Sequence, residues 1–160
     1  MGLFEGISKF ALLSGILTAV GLLVHLIGYG APNWYEVGSF HSGIWKSCAG
    51  SKCADFVGSG STTGWFIEAV EALETLAFLV ILGALIVIGL KLTVMKEKKI
   101  LPIVIFILQF ASVGLIVLGV VIYCMEGPTS NYGYAFFMVI IASVIMLVAG
   151  VTSVIDWRCT

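Results

Sequence analysis

Charge is what this sequence has least of. Only 11% of its 160 residues are Asp, Glu, Lys or Arg, and 60% are hydrophobic. A soluble domain carries about 25% charged residues, so a water-facing surface could not be covered here and a soluble domain is excluded. Histidine is equally scarce: His25 lies in an apolar run and His41 in a polar stretch. There is no Ser/His/Asp or Cys/His set, no metal-ligand cluster and no phosphate-cradling loop, so no enzyme, metal site or cofactor is expected. Nucleic acid is not an expected partner. No broken-helix pair or ion-pair relay is visible inside the apolar runs, which argues against transport. No Asn-x-Ser/Thr sequon occurs, so no N-glycan is expected. The first apolar run is too long for a signal-peptide core and lacks a small-residue cleavage site. Met1-Gly2 opens like a myristoylation site, but Gly6 stands where Ser or Thr is wanted. No low-complexity segment and no period of 20–50 residues appears.

What is there is apolar sequence in four blocks, each near the ~20 residues that cross a bilayer. The spans are placed at about 10–30, 73–94, 100–124 and 133–155, with outer loops at 31–64 and 125–132 and a short loop at 95–99. This predicts a mainly α membrane protein, a single domain over 1–160. In the first span Ala11, Gly15 and Ala19 recur every four residues, a small-residue strip that lets helices approach closely in lipid. Packing within the bundle is the favoured reading; contact with another protein is the other. His25 flags function, and its bland reading is a neutral ring bonded to a neighbouring helix. Gln109 in the third span is expected to bond to another helix.

The second apolar stretch, Trp65 to Val94, would be about 45 Å long as a helix, longer than the ~30 Å hydrocarbon core. Its first turns should therefore project. Glu68, Glu71 and Glu74 fall there, three apart. They form a candidate acidic interaction face, able to attract cations or dock a basic partner; the alternative is a solvated helix end. Glu74, nearest the lipid, is expected to pair with Lys46 or Lys52. Lys91 at the other end can snorkel. The five residues from Met95 to Lys99 join the next helix so tightly that the two must be antiparallel neighbours.

Orientation follows from the basic residues. Lys9, Lys91, Lys96, Lys98, Lys99 and Arg158 fall on one side, Lys46 and Lys52 on the other. The excess marks the cytoplasm, so both termini are expected inside and both longer loops outside. Acidic Glu36, Asp55, Glu68, Glu71, Glu74 and Glu126 make the outer side net negative. Cys48 and Cys53 then face an oxidising exterior, close in sequence, and a disulfide is expected, the alternative being two free thiols. It would clamp a hairpin of Ile44–Cys48 and Cys53–Val57 around a four-residue loop. Cys124 is read as packed. Cys159, juxtamembrane and cytoplasmic, is a candidate for palmitoylation or a plain terminal cysteine.

One stretch stands out from the apolar background. Trp34 is followed by Gly43-Ile44-Trp45, two residues, Cys48, a spacer and Cys53. With four spans and a larger first outer loop, this resembles the claudin superfamily, which includes claudins, peripheral myelin and epithelial membrane proteins, and stargazin-like channel auxiliary subunits. The family motif has Leu where Ile44 stands; Trp34, Gly43, Trp45, Cys48 and Cys53 match directly. Tyr132-Gly-Tyr-Ala-Phe136 entering the fourth span also looks like the family. The resemblance implies a left-handed four-helix bundle with a small extracellular antiparallel sheet, and Trp45 is read as anchoring the sheet on the helix tops.

Three features separate the chain from typical claudins. Trp34 and Trp45 are closely spaced, as in the peripheral myelin and epithelial membrane branch. Ile67-Glu68-Ala69-Val70-Glu71 stands where many claudins have Leu-Gln-Ala-Ala-Arg. The sequence ends at Trp157-Arg-Cys-Thr160 rather than in a long scaffold-binding tail. Two functions fit. One is a plasma-membrane protein that associates with other membrane proteins, in cis or trans, in cell–cell contact, barrier formation or membrane organisation. The other is an auxiliary subunit that binds a channel or receptor laterally. The bilayer is a partner in both.

Overall fold

Ser8 begins the first helix by accepting a hydrogen bond from the Phe10 amide at 3.2 Å. Such a cap satisfies one of the four donors a helix N-terminus leaves open. The helix, α1, runs Lys9–Gly30 and stops at Ala31, just ahead of Pro32. Three more follow: α2 (Trp65–Thr93), α3 (Leu101–Glu126) and α4 (Tyr134–Cys159). The structure, a computed structural model, describes residues 6–55 and 65–159. The Gly58–Gly64 connector and the end of the proposed hairpin at Val57 lie outside the described residues. All four helices are long and apolar enough to cross a membrane. They pack as a ring in chain order: α1 lies broadly on α4, α2 on α3 and α3 on α4, and the seam between α1 and α2 is the thinnest.

The inner face of α1 carries Ala11, Ser14, Thr18, Gly21, His25 and Gly28, all buried and all small or polar. Its outer face carries Leu12, Leu13, Ile16, Val20, Leu23 and Ile27, all exposed to the membrane. Lipid tails are as apolar as leucine, so burying leucine between helices gains little; close backbone approach and hydrogen bonds hold the helices instead. Gly28 shows the approach. A Cβ there would sit 2.7 Å from the Ala135 carbonyl oxygen and 2.8 Å from Val139 Cγ1.

Between α1 and α2 the chain builds a four-stranded antiparallel meander: β1 (Tyr35–Val37), β2 (Phe40–Ser42), β3 (Lys46–Ala49) and β4 (Lys52–Asp55). The result is a four-helix bundle with a small antiparallel sheet, the fold that the claudin resemblance implies. Two corrections concern its boundaries. The Cys48–Cys53 hairpin turns on two residues, Gly50 and Ser51, rather than four, because Ala49 pairs with Lys52. Gly50 takes φ +63°, a backbone that a two-residue hairpin turn requires and glycine adopts freely. At the other end, α4 stays helical past Ile155 and carries Asp156 into the bundle.

Candidate functional site

The sheet is seated by its β1 edge. Tyr35 bridges to Tyr132 in the α3–α4 loop. The Glu36 amide donates to the Asn131 carbonyl (2.9 Å), the Gly133 amide to the Trp34 carbonyl (2.9 Å) and the Ala135 amide to the Asn33 carbonyl (3.1 Å). A Cβ on Gly133 would overlap the Asn33 carbonyl, so the crossing needs glycine. Both loops at this end therefore form one unit on top of the bundle.

Each residue of the loop motif has a place in that unit. Trp34 is fully buried, edge-on to Tyr123 (5.0 Å between ring centres) and Phe136 (5.8 Å). Its indole Nε1 donates to the Gly28 carbonyl at 2.8 Å, using an acceptor at the end of α1. A buried indole N–H needs such a partner. Gly43 lies against the chain's own Ala31–Pro32 segment: a Cβ would meet the Ala31 oxygen at 2.6 Å. Ile44 is fully buried in the same cluster as Trp34. Trp45 is half-buried and meets Tyr29 of α1 edge-on at 5.3 Å, on the tops of the helices. Cys48 and Cys53 are direct cross-strand partners joined by a disulfide. Sequence pattern suggested short strands around Ile44 and Trp45. They instead form the bend between β2 and β3, which frees both side chains to point at the bundle.

The sheet leaves open β4 and its β1–β2 tip. Gly38, at φ +58°, makes the turn, and the flanking Val37 and Phe40 are direct cross-strand partners. They are 45% and 40% exposed. Glu36, Asp55, Glu68 and Glu126 are exposed at the same end of the molecule.

Beneath the sheet lies a layer invisible in the sequence pattern. Glu74 does not join Glu68 and Glu71 on an outer face and does not reach Lys46 or Lys52. It is buried in the bundle, where its Oε2 meets His25 Nε2 of α1 at 2.9 Å, both side chains fully enclosed. Glu68 is exposed and Glu71 half-buried. Three residues of spacing carry Glu74 round the helix to the inner face, in register with Val70 and Ala77. Gly119 of α3 makes the room: a Cβ there would be 2.6 Å from Glu74 Oε1. One turn towards the sheet, Tyr29 and Thr75 hydroxyls bond at 2.8 Å, a second link between α1 and α2.

Deeper along the bundle, Met146, Ile81 and Ile116 form a fully buried apolar layer. Past it, Gln109 Nε2 donates to Ser14 Oγ (2.8 Å) and Thr18 Oγ1 (2.9 Å), and Ser14 Oγ bonds Ser153 Oγ at 2.6 Å. These bonds tie α3 and α4 to α1. Lys91 does not snorkel. It forms a buried ion pair with Asp156 of α4, because the prolonged α4 brings the carboxylate to it. The bundle thus holds two buried polar pairs whose partners differ from those the sequence suggests. The signal for both was available only as isolated polar letters, His25, Glu74, Lys91 and Asp156, in apolar surroundings.

The remaining candidates sort by position. In the small-residue strip, Ala11 is buried and Gly15 and Ala19 are half-buried beside α2; a Cβ on Gly15 would lie 3.1 Å from Ile88 Cγ2. Cys159 is free and exposed at the end of α4. Cys124 forms no disulfide and is exposed near the end of α3 rather than enclosed.

No family model matches the chain. It is similar to epithelial membrane protein 2 of Danio rerio, with 27% identity over 152 residues, covering 90% of this chain and 92% of that protein. That similarity falls in one of the branches the loop motif resembles. Four helices able to span a membrane and a disulfide-bonded sheet make this chain a four-pass membrane protein with the architecture that the claudin resemblance implies.

Proposed function

We propose that this protein acts without catalysis, by protein–protein association at cell–cell contacts, in barrier formation or membrane organisation. It lies in the plasma membrane with the sheet outside and both termini inside, a reading supported by the concentration of basic residues at the far end. The observation that carries the reading is the β1–β2 tip. Val37 and Phe40 sit side by side and exposed on a sheet whose β1 edge is fastened to the α3–α4 loop. Exposed apolar pairs on rigid supports are what association surfaces present, since little ordering entropy is lost on contact. Exposed Glu36, Asp55, Glu68 and Glu126 surround that end with negative charge and favour a basic partner surface or nearby cations.

The test uses adhesion-deficient cells in suspension expressing the full chain. Expected is enrichment at cell–cell borders, lost on Phe40→Asp at unchanged surface level. Uniform distribution, insensitive to Phe40, together with stoichiometric recovery of a channel or receptor in gentle detergent, would replace this reading by that of a lateral auxiliary subunit. An epitope inserted between Gly50 and Ser51 should be stained on intact cells; staining only after permeabilisation would invert the orientation.

A further inference from the structure

Across the sheet, one row of residues combines an acid, an imidazole and a disulfide. Glu36 of β1 is the direct cross-strand partner of His41 of β2, His41 is that of Cys48 of β3, and Cys48 is that of Cys53 of β4. Residues directly opposite one another share a face of the sheet, with Cβ atoms about 5 Å apart. The meander therefore sets an imidazole beside one sulfur of the disulfide, a Cys/His neighbourhood that chain order does not show. The two cysteines differ in access. Cys48 is 2% exposed, whereas Cys53 lies on β4, whose four residues are all exposed.

A hydrogen bond fixes the tautomer of His41. Its Nδ1 lies 2.8 Å from the Pro32 carbonyl oxygen. A carbonyl only accepts, so Nδ1 carries the ring proton and donates, and in the neutral ring Nε2 is left as the acceptor. Thiol–disulfide exchange uses what such a ring supplies: the attacking thiol loses a proton and the departing sulfur gains one. We propose that the Cys48–Cys53 disulfide is an exchange site for low-molecular-weight thiols, which add at exposed Cys53 while His41 passes their proton to Cys48. The thiol gives its proton to His41 Nε2, and its sulfur attacks Cys53 Sγ. A new S–S bond forms there as the Cys48–Cys53 bond breaks. The electron pair of the broken bond goes to Cys48 Sγ, which takes the proton from the imidazolium. The sulfur of the thiol is oxidised and that of Cys48 reduced, so no further oxidant or reductant enters. Attack falls on Cys53 because Cys48 is enclosed. Glu36, on the other side of His41 and held by Asn33 Nδ2 at 2.6 Å, supplies a negative charge beside the transient imidazolium.

The full chain carrying Cys124→Ser and Cys159→Ser, which removes the two cysteines outside the disulfide, is purified in neutral detergent and treated with excess reduced glutathione at neutral pH. Samples are quenched in acid, free thiols are alkylated, and the products are mapped by mass spectrometry. The first product should carry glutathione on Cys53 and the alkyl group on Cys48, and should form well below the unfolding temperature. His41→Asn keeps a side-chain N–H for the Pro32 oxygen but has no Nε2, and should slow the exchange about tenfold. That is less than side-chain proton transfer usually gives, because a thiol in solution is already partly ionised. A variant that merely loosened the sheet would exchange faster, so slowing reads the proton transfer itself. Exchange only on unfolding, glutathione on Cys48, or an undiminished rate in His41→Asn would each overturn the proposal.

Discussion

The two buried pairs make an instructive contrast. His25–Glu74 lies deep in the sheet-side half, fully enclosed, and joins α1 to α2 across the thinnest seam. Lys91–Asp156 lies at the opposite end and joins α2 to α4, with Lys91 still 9% exposed. The first can form between a neutral imidazole and a neutral carboxyl, one donating to the other, and then buries no charge. The second holds a lysine, and removing its partner leaves an ammonium group to find water. Depth and partner chemistry together set what each pair contributes: the deep pair specifies which helix faces which, and the shallow pair carries the larger electrostatic risk.

That contrast can be broken most forcefully at Asp156. Asp156→Ala should destabilise the bundle by about 3 kcal/mol, the low end for stranding a buried charge, because Lys91 is near enough to the helix end to extend into the headgroups. Unfolding in mixed micelles measures it. The double change Lys91→Met with Asp156→Leu should restore most of the loss, and a double variant as unstable as Asp156→Ala would show that packing, not charge, is at stake. Cys48→Ser should cost about 2 kcal/mol, the entropy of opening a short disulfide loop. It should also change mobility on non-reducing gels and lower surface expression. Glu74→Gln keeps an acceptor opposite His25 and should cost about 1 kcal/mol or less. A loss near that of Asp156→Ala would mean that the deep pair depends on full charge. Gln109→Leu should cost a similar amount, about 1 kcal/mol for two interhelical hydrogen bonds of roughly 0.6 each, read in the same unfolding assay.

The polar residues inside the helices show how far pattern reading reaches. Gln109, expected to bond to another helix because an amide in a span has little else to do, donates to Ser14 and Thr18 of α1. His25 was read as bonded to a neighbour, and it is. The sequence did not name the partner. Glu74 looked like the third member of an exposed acidic face because Glu68, Glu71 and Glu74 share a spacing, but three residues advance a helix by 300°, so each step rotates the side chain. Over two steps the row crosses from the exposed side to the enclosed one. Lys91 looked like a snorkelling residue because Asp156 seemed to fall beyond the last span.

Sequence alone determined the membrane class, the four helices, the antiparallel α2–α3 pair and the cysteines that form the clamp. Each rests on a local property: apolar length against bilayer thickness, a five-residue connection, and two thiols close along the chain. Tertiary structure alone decided which face of each helix turns inward, the pairing of His25 with Glu74 and of Lys91 with Asp156, and the way the α3–α4 loop closes the edge of the sheet. The inner face of α1 is small and polar rather than large and apolar, so hydrophobic periodicity marks neither it nor the residues of the two buried pairs. Their partners lie 49 and 65 residues away, a separation over which only the packed bundle brings side chains together.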